Sequence, residues 1–226
     1  MSIKLIYFKM RALAEAPQML MRCNNIKYQY LMSWEHFADD WAKVKPRLTF
    51  KQLPMLQVEG QHEIFQSVAI LKFLENMAGL SISEPIQEAK ANAILQSAQE
   101  LFAPLNPTVN FAVDDNFLSK RDAMRPILAN RFQELSNCLE ENISKFFIDN
   151  KPRAAEFATF HHLDLSKQLD DSLIKEFPRL EKFIDDMTSL QGMSEYLQVR
   201  PALIEVGRRP KLVIDDVEHP TGVQKT

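Results

Sequence analysis

The stretch PMLQVEGQHEIFQSVAILKFL, Pro54 to Leu74, changes its period part-way along. MLQV and HEIF flank Glu59-Gly60 and read as a β-hairpin. Ala69, Ile70, Phe73 and Leu74 then recur at helical spacing and predict a helix with one face on a core. The polar pair Gln66-Ser67 stands at the junction. One reading makes Ser67 an N-cap, its hydroxyl satisfying a free amide of the first turn. The other makes the junction an anion site, because helix N-termini offer unpaired N–H groups and partial positive charge. Pro54 cannot serve a central ladder position. It fits a turn in either the trans or the cis form, and cis is the rarer.

Upstream, IKLIYF (Ile3 to Phe8) reads as a strand, Ala12 to about Cys23 as a helix and YQYLM (Tyr28 to Met32) as a second strand. Pro17 falls early in that helix, where a missing N–H costs least. The order is βαβ, a loop segment containing Trp41, then ββα. Downstream, Ala78 to Gln87 is rich in turn formers and reads as a linker. From about Glu88 to Val199 the period is helical. One helix, Glu88 to Phe102, is expected to stop near Pro104 and Pro107. A second, Ser119 to Phe147, is expected to open on a Ser119/Asp122 cap and to kink or start late at Pro126. Shorter helices follow in AEFATFHHLDL, FPRLEKFIDDM and GMSEYLQ. The stretch RRPKLVIDDVEHPTGVQKT, Arg208 to Thr226, has no helical period and is expected to run extended over the surface. These readings divide the chain into residues 1–78, a linker 79–87, a helical domain 88–210 and a tail 211–226.

The chain has 226 residues, 46% of them apolar, enough for a substantial core. A net charge of −3 and the lack of a long basic run argue against nucleic acid as a partner. The N-terminus has neither the pattern of a signal peptide nor that of a membrane span. Cys23 and Cys138 suggest no disulfide framework, so the expected setting is soluble, reducing and cytoplasmic. Adjacent His161 and His162 point different ways on a helix and make no metal pair. No metal site is expected.

KLIYFKMRALAE (Lys4 to Glu15), DDWAKVK (Asp39 to Lys45), FKQLPMLQVEG and IFQSVAILKFL resemble, in order and spacing, a cytosolic glutathione transferase of the tyrosine type. FPRLEKF and YLQVRP extend the resemblance to Pro201. It is most similar to the sigma class, with some mu-like features. The resemblance implies a thioredoxin-like α/β N-terminal domain, an all-α C-terminal domain, a homodimer, and glutathione as cosubstrate for a small hydrophobic electrophile. It implies that Pro54 is cis. It implies that Tyr7 stabilises the glutathione thiolate by hydrogen bonding. Gln66 and Ser67 would hold the γ-glutamyl carboxylate, Trp41, Lys45 and Gln52 the glycyl end, and the Leu53 backbone the cysteinyl unit beside Pro54. Glu100 would reach the ammonium group of glutathione on the partner subunit. Phe50 matches an aromatic that contacts the partner. The electrophile would lie in a cleft between the domains, lined partly by Met10, Leu13, Phe102 and Phe111. Two departures stand out. Ala12-Leu13 replaces a Gly-Arg pair of the sigma type, and EFATF replaces the usual Ser/Thr-x-x-Asp opening of a core helix. Three readings follow: conjugation, isomerase or peroxidase chemistry on the same fold, or a non-catalytic binding or structural protein.

Overall fold

Ile3–Tyr7 forms β1, in which Leu5, Ile6 and Tyr7 are all buried, as in a strand covered on both faces. The computed structural model describes residues 1–141 and 143–225. Asn142, within the helix expected to reach Phe147, and Thr226, at the end of the tail, lie outside the described residues. Helix α1 (Glu15–Cys23) carries the chain to β2 (Gln29–Met32), which runs parallel to β1. It starts later than Ala12, so Pro17 is its third residue, where no intrahelical amide bond is forfeited. Two short helices, α2 (Ser33–Phe37) and α3 (Trp41–Val44), and a 3-10 turn at Lys45–Arg47 lead to the hairpin β3 (Met55–Val58) and β4 (His62–Phe65). The sheet order is β2-β1-β3-β4, with β3 antiparallel to both neighbours. Helix α4 (Ser67–Met77) buries Ile70, Leu71 and Leu74 against α1 and β3. This is the thioredoxin-like α/β unit.

Among the described residues six helices follow: α5 (Pro85–Phe111), α6 (Asp114–Glu140), α7 (Ala154–Lys167), α8 (Asp171–Ile174), α9 (Pro178–Thr188) and α10 (Met193–Val199). Helix α7 is the axis of the molecule. Twelve of its fourteen residues are buried, and it touches α1 and α4 on one side and α5, α8 and α9 on the other. A helix apolar nearly all round belongs in a core.

The two long helices differ from expectation in their boundaries. Helix α5 does not stop at Pro104 but runs through both prolines to Phe111. Each proline costs about 3 kcal/mol in a helix interior. Burial of Leu101, Leu105 and Val109 in that segment offsets it, at about 1.5–3 kcal/mol per large side chain. Helix α6 begins at Asp114 rather than Ser119, passes through Pro126 and ends at Glu140 rather than Phe147. Asp114 and Asp115 in its first turn suit the positive end of the helix dipole. The altered opening of the core helix is also resolved. Glu156, in the third position of α7, accepts from the Arg153 N–H at 2.8 Å and the Phe147 N–H at 3.0 Å. The carboxylate half of the cap is therefore intact.

The largest difference lies after α10. The end of the region expected to be helical and the segment expected as an extended tail together form an antiparallel meander of β5 (Ala202–Ile204), β6 (Lys211–Ile214) and β7 (Val217–Pro220). Asp215 and Asp216 join β6 to β7 with φ of 50° and 61°. Positive φ at both central residues is the type I′ geometry that matches the strand twist. Leu203 and Leu212 pair across the meander and are buried.

Candidate functional site

The register of the first sheet gathers the predicted residues. Ile6 pairs with Met55, and Met55 with Phe65. The adjacent residues Tyr7, Pro54 and Gln66 therefore lie at the same end of β1, β3 and β4. The Leu53-Pro54 bond is cis. A cavity of ≈ 20 Å³ sits here, lined by Leu13, Phe50, Gln52, Leu53, Pro54, Phe65, Gln66 and Ser67.

Tyr7 is buried, and loss of solvent drives its pKa far above that of a free phenol. The Leu13 N–H, directed at the phenol oxygen, partly opposes this. The phenol keeps its proton at neutral pH and remains a hydrogen-bond donor.

At the start of α4 the Ser67 cap is not realised. Gln66 is the N-cap, Ser67 is the first helical residue, and no side chain caps the amides. Gln66 has φ 70° and ψ 120°. A non-glycine residue in that region carries strain of about 1–3 kcal/mol. The uncapped first turn is chemically suited to an anion.

The other predicted residues are placed as follows. Trp41 is half-buried, edge-on to Phe8 with ring centroids 4.8 Å apart. Lys45 is exposed in the 3-10 turn. Phe50 lies 5.8 Å from Phe65 between ring centroids and is 52% exposed. Glu100 is on α5, ion-paired with Arg131 of α6. Met10 and Leu13 line different cavities, because Met10 faces a pocket with Phe8, Tyr30, Pro201, Leu212 and Ile214. Phe102 packs on His162, with ring centroids 5.7 Å apart, and Phe111 is 47% exposed at the end of α5. The structure thus gathers Gln52, Leu53, Pro54, Gln66 and Ser67, while the proposed electrophile residues are spread along the domain seam.

Burial holds His161 and His162 neutral, His162 being pushed down to about 3. Burial also pushes the Cys23 thiol, at the end of α1, up to about 12, which suits an inert rather than a nucleophilic sulfur. Among the described residues no cluster of metal-ligating side chains occurs.

Sequence reasoning missed the seam itself. Arg200 contacts Glu15 at 3.3 Å and Asp164 at 3.0 Å, and Arg11 lies 3.7 Å from Asp164. Arg11 also donates from Nε and Nη2 to the Pro201 carbonyl, at 3.1 and 2.9 Å. The visible signal was Asp164, an acid set between two leucines of α7, Leu163 and Leu165. The meander was signalled by KLVI-DD-VEHP, two short runs around a two-residue acidic turn.

Residues 3–76 match the family described as Glutathione S-transferase, N-terminal domain, and residues 106–200 match Glutathione S-transferase, C-terminal domain. The Hematopoietic prostaglandin D synthase of Gallus gallus is 30% identical over 202 residues, 88% of this chain and 96% of that protein. Glutathione S-transferase 1 of Ascaris suum is 24% identical over 202 residues, again 88% and 96% of the two chains. The solved Pi-class glutathione S-transferase of Onchocerca volvulus superposes with a TM-score of 0.76 at 25% identity, over 88% of this chain and 93% of that one. Both halves match in order, and the likeness spans the sheet, the cis-proline and the helical bundle alike: the chain belongs to the glutathione S-transferase family.

Proposed function

We infer that the protein is a glutathione transferase that adds the thiolate of glutathione to a small hydrophobic electrophile. The observation that carries this reading is the common end of β1, β3 and β4, where a protonated Tyr7 stands beside cis-Pro54 and the uncapped start of α4. A free thiol near pKa 8.5 is mostly protonated at neutral pH, and lowering it by two units requires about 3 kcal/mol of differential stabilisation. A buried phenol O–H aimed at sulfur supplies a charge-assisted hydrogen bond where little water competes. The α4 amides and Ser67 would take the γ-glutamyl carboxylate. The Leu53 backbone would pair with the cysteinyl unit, as in strand addition. Gln52, Trp41 and Lys45 would hold the glycyl end. Glu100 would serve the partner's site only if its pair with Arg131 opened.

The Gallus gallus relative is named a synthase rather than a transferase, which keeps isomerase or peroxidase chemistry as a second reading on the same site. Half-exposed Phe50 supports a homodimer in which that ring enters the second copy. Sedimentation at micromolar concentration checks this, and a monomeric mass would sink it. Cytoplasmic residence is consistent with the two unpaired cysteines and with the lack, among the described residues, of a helix long and apolar enough to cross a membrane.

Glutathione titrated into wild type and Tyr7→Phe, followed by calorimetry and by thiolate absorbance, tests the reading. Binding by both with a thiolate signal only in wild type is expected. Failure of wild type to bind glutathione would leave the non-catalytic alternative.

A further inference from the structure

Residues 8–14 join β1 to α1 and carry the Leu13 amide to the oxygen of Tyr7. Leu13 also lines the cavity beside Pro54, Gln66 and Ser67. Within the loop the bonds are short-range: the Met10 N–H donates to the Phe8 carbonyl and the Glu15 N–H to the Ala12 carbonyl, both at 2.9 Å. Three further anchors come from beyond the α/β unit. The Arg11 guanidinium donates to the Pro201 carbonyl, and the Gly222 N–H donates to the Lys9 carbonyl at 3.0 Å. The third anchor is Asn110, the last residue but one of α5. Its Nδ2 donates to the Arg11 carbonyl at 3.1 Å, two residues before Leu13, and to Asn106 Oδ1 at 3.2 Å. The Thr221 hydroxyl in turn donates to the Asn110 carbonyl.

Asn110 is a costly residue for this place. It is 1% exposed, and its Oδ1 is buried with no hydrogen-bond partner among the described residues. Burying an amide with one end unmet works against stability, and an apolar residue of similar shape would avoid that penalty. What asparagine supplies and an apolar residue does not is a donor for Arg11. A carbonyl only accepts, so the amide must turn its Nδ2 to that atom.

Resting on the transferase reading above, we propose that Asn110 is a positioning residue for the transfer step: by gripping the Arg11 carbonyl it fixes the turn that keeps the Leu13 N–H on the Tyr7 oxygen. That amide occupies a lone pair of the phenol oxygen and polarises it, so the O–H faces the sulfur and donates more strongly. No substitution deletes a backbone amide, but the amide drifts when its anchor is lost. The helical domain thereby acts on the thiolate through the loop.

The test compares wild type, Asn110→Leu and Arg153→Met, all as full chains. Leucine keeps the approximate shape of asparagine and removes the donor. Arg153→Met removes the bond from Arg153 Nε to the Leu80 carbonyl, at 2.9 Å, and so loosens the domain contact away from the loop. Each protein is saturated with glutathione, and thiolate absorbance is titrated against pH. In Asn110→Leu the midpoint is expected to rise by about half a unit to one unit, the worth of one hydrogen bond. On the acid side of the midpoint kcat/KM for chlorodinitrobenzene is expected to fall by about three- to tenfold, and on the alkaline side to recover toward wild type. Arg11, Glu15, Tyr30, His161, Asp164 and Arg200 face the loop and Tyr7 from the neighbouring elements and are retained in every variant. Arg153→Met is expected to lower the urea midpoint without moving the thiolate midpoint. An unmoved thiolate midpoint in Asn110→Leu, or an equal rise in Arg153→Met, overturns this proposal alone. If Asn110→Leu does not fold by circular dichroism, Asn110→Ser, whose side chain stops short of Arg11, is read in its place by the same criteria. Absence of glutathione binding or of a thiolate signal in wild type overturns the transferase reading and this proposal together.

Discussion

A phenol that must donate a hydrogen bond has to keep its proton, and burial keeps it on Tyr7. The Leu13 amide meets the same oxygen, so the O–H is turned by a backbone group that no side-chain substitution removes. This bears on the missing arginine at position 13, since the amide is present whichever residue stands there. Tyr7→Phe is expected to lower kcat/KM about 10²-fold, the usual cost of one preorganised donor, with little change in the affinity for glutathione. Steady-state kinetics over a range of glutathione concentrations separates the two. The places of Tyr7 near a strand end and of Gln66-Ser67 at a helix start were legible in the change of period, whereas the roles assigned to them came from the family resemblance. Whether Ser67 caps the helix stayed open in the sequence, because composition shows which residues suit a helix start but not which of two neighbours takes the non-helical φ.

At the scale of elements, the opening of α7 combines opposing effects in Glu156. Two backbone N–H bonds favour its carboxylate, but desolvation is larger and raises its pKa from 4.5 to about 7. A pKa raised on folding makes the group's contribution to stability fully present below about pH 4.5. That contribution is lost as pH rises through about 7, and the shift corresponds to roughly 3 kcal/mol. Glu156→Gln abolishes this titration. The stability of wild type relative to the variant is therefore expected to fall between pH 4.5 and pH 8, read from urea midpoints at several pH values. The sequence showed that a core helix lay here but not that Arg153 and Glu156 had replaced the usual capping pair, because the motif was sought one step too late, in EFATF. The long helices were legible in their middles. Their ends at Phe111 and Asp114 were not, since whether a proline breaks a helix depends on what the following turns bury.

The whole molecule is joined along one seam, where Arg200 bridges Glu15 of α1 and Asp164 of α7 while largely buried. Removing one partner of a buried ionic cluster leaves the others unpaired, which costs about 3–5 kcal/mol. Arg200→Met is expected to lower stability by about that amount, somewhat less because Arg11 remains beside Asp164. Equilibrium urea unfolding measures the loss. An unchanged midpoint would show that the seam does not depend on the cluster. No local pattern announces such long-range contacts, which is why the division into two domains was readable and their fastening was not.

The bond between the Gly222 amide and the Lys9 carbonyl also has a consequence for synthesis. Lys9 leaves the ribosome long before its partner Gly222. Domains generally fold as units, the N-terminal one first, and late contacts between distant residues must await the chain that makes them. The α/β unit can therefore assemble early, but the edge beside Lys9 stays bare until Gly222 has been made. A nascent chain stalled before residue 200 would hold its sheet and most of its helices while exposing Phe8 and Met10 to the chaperones that patrol the exit tunnel.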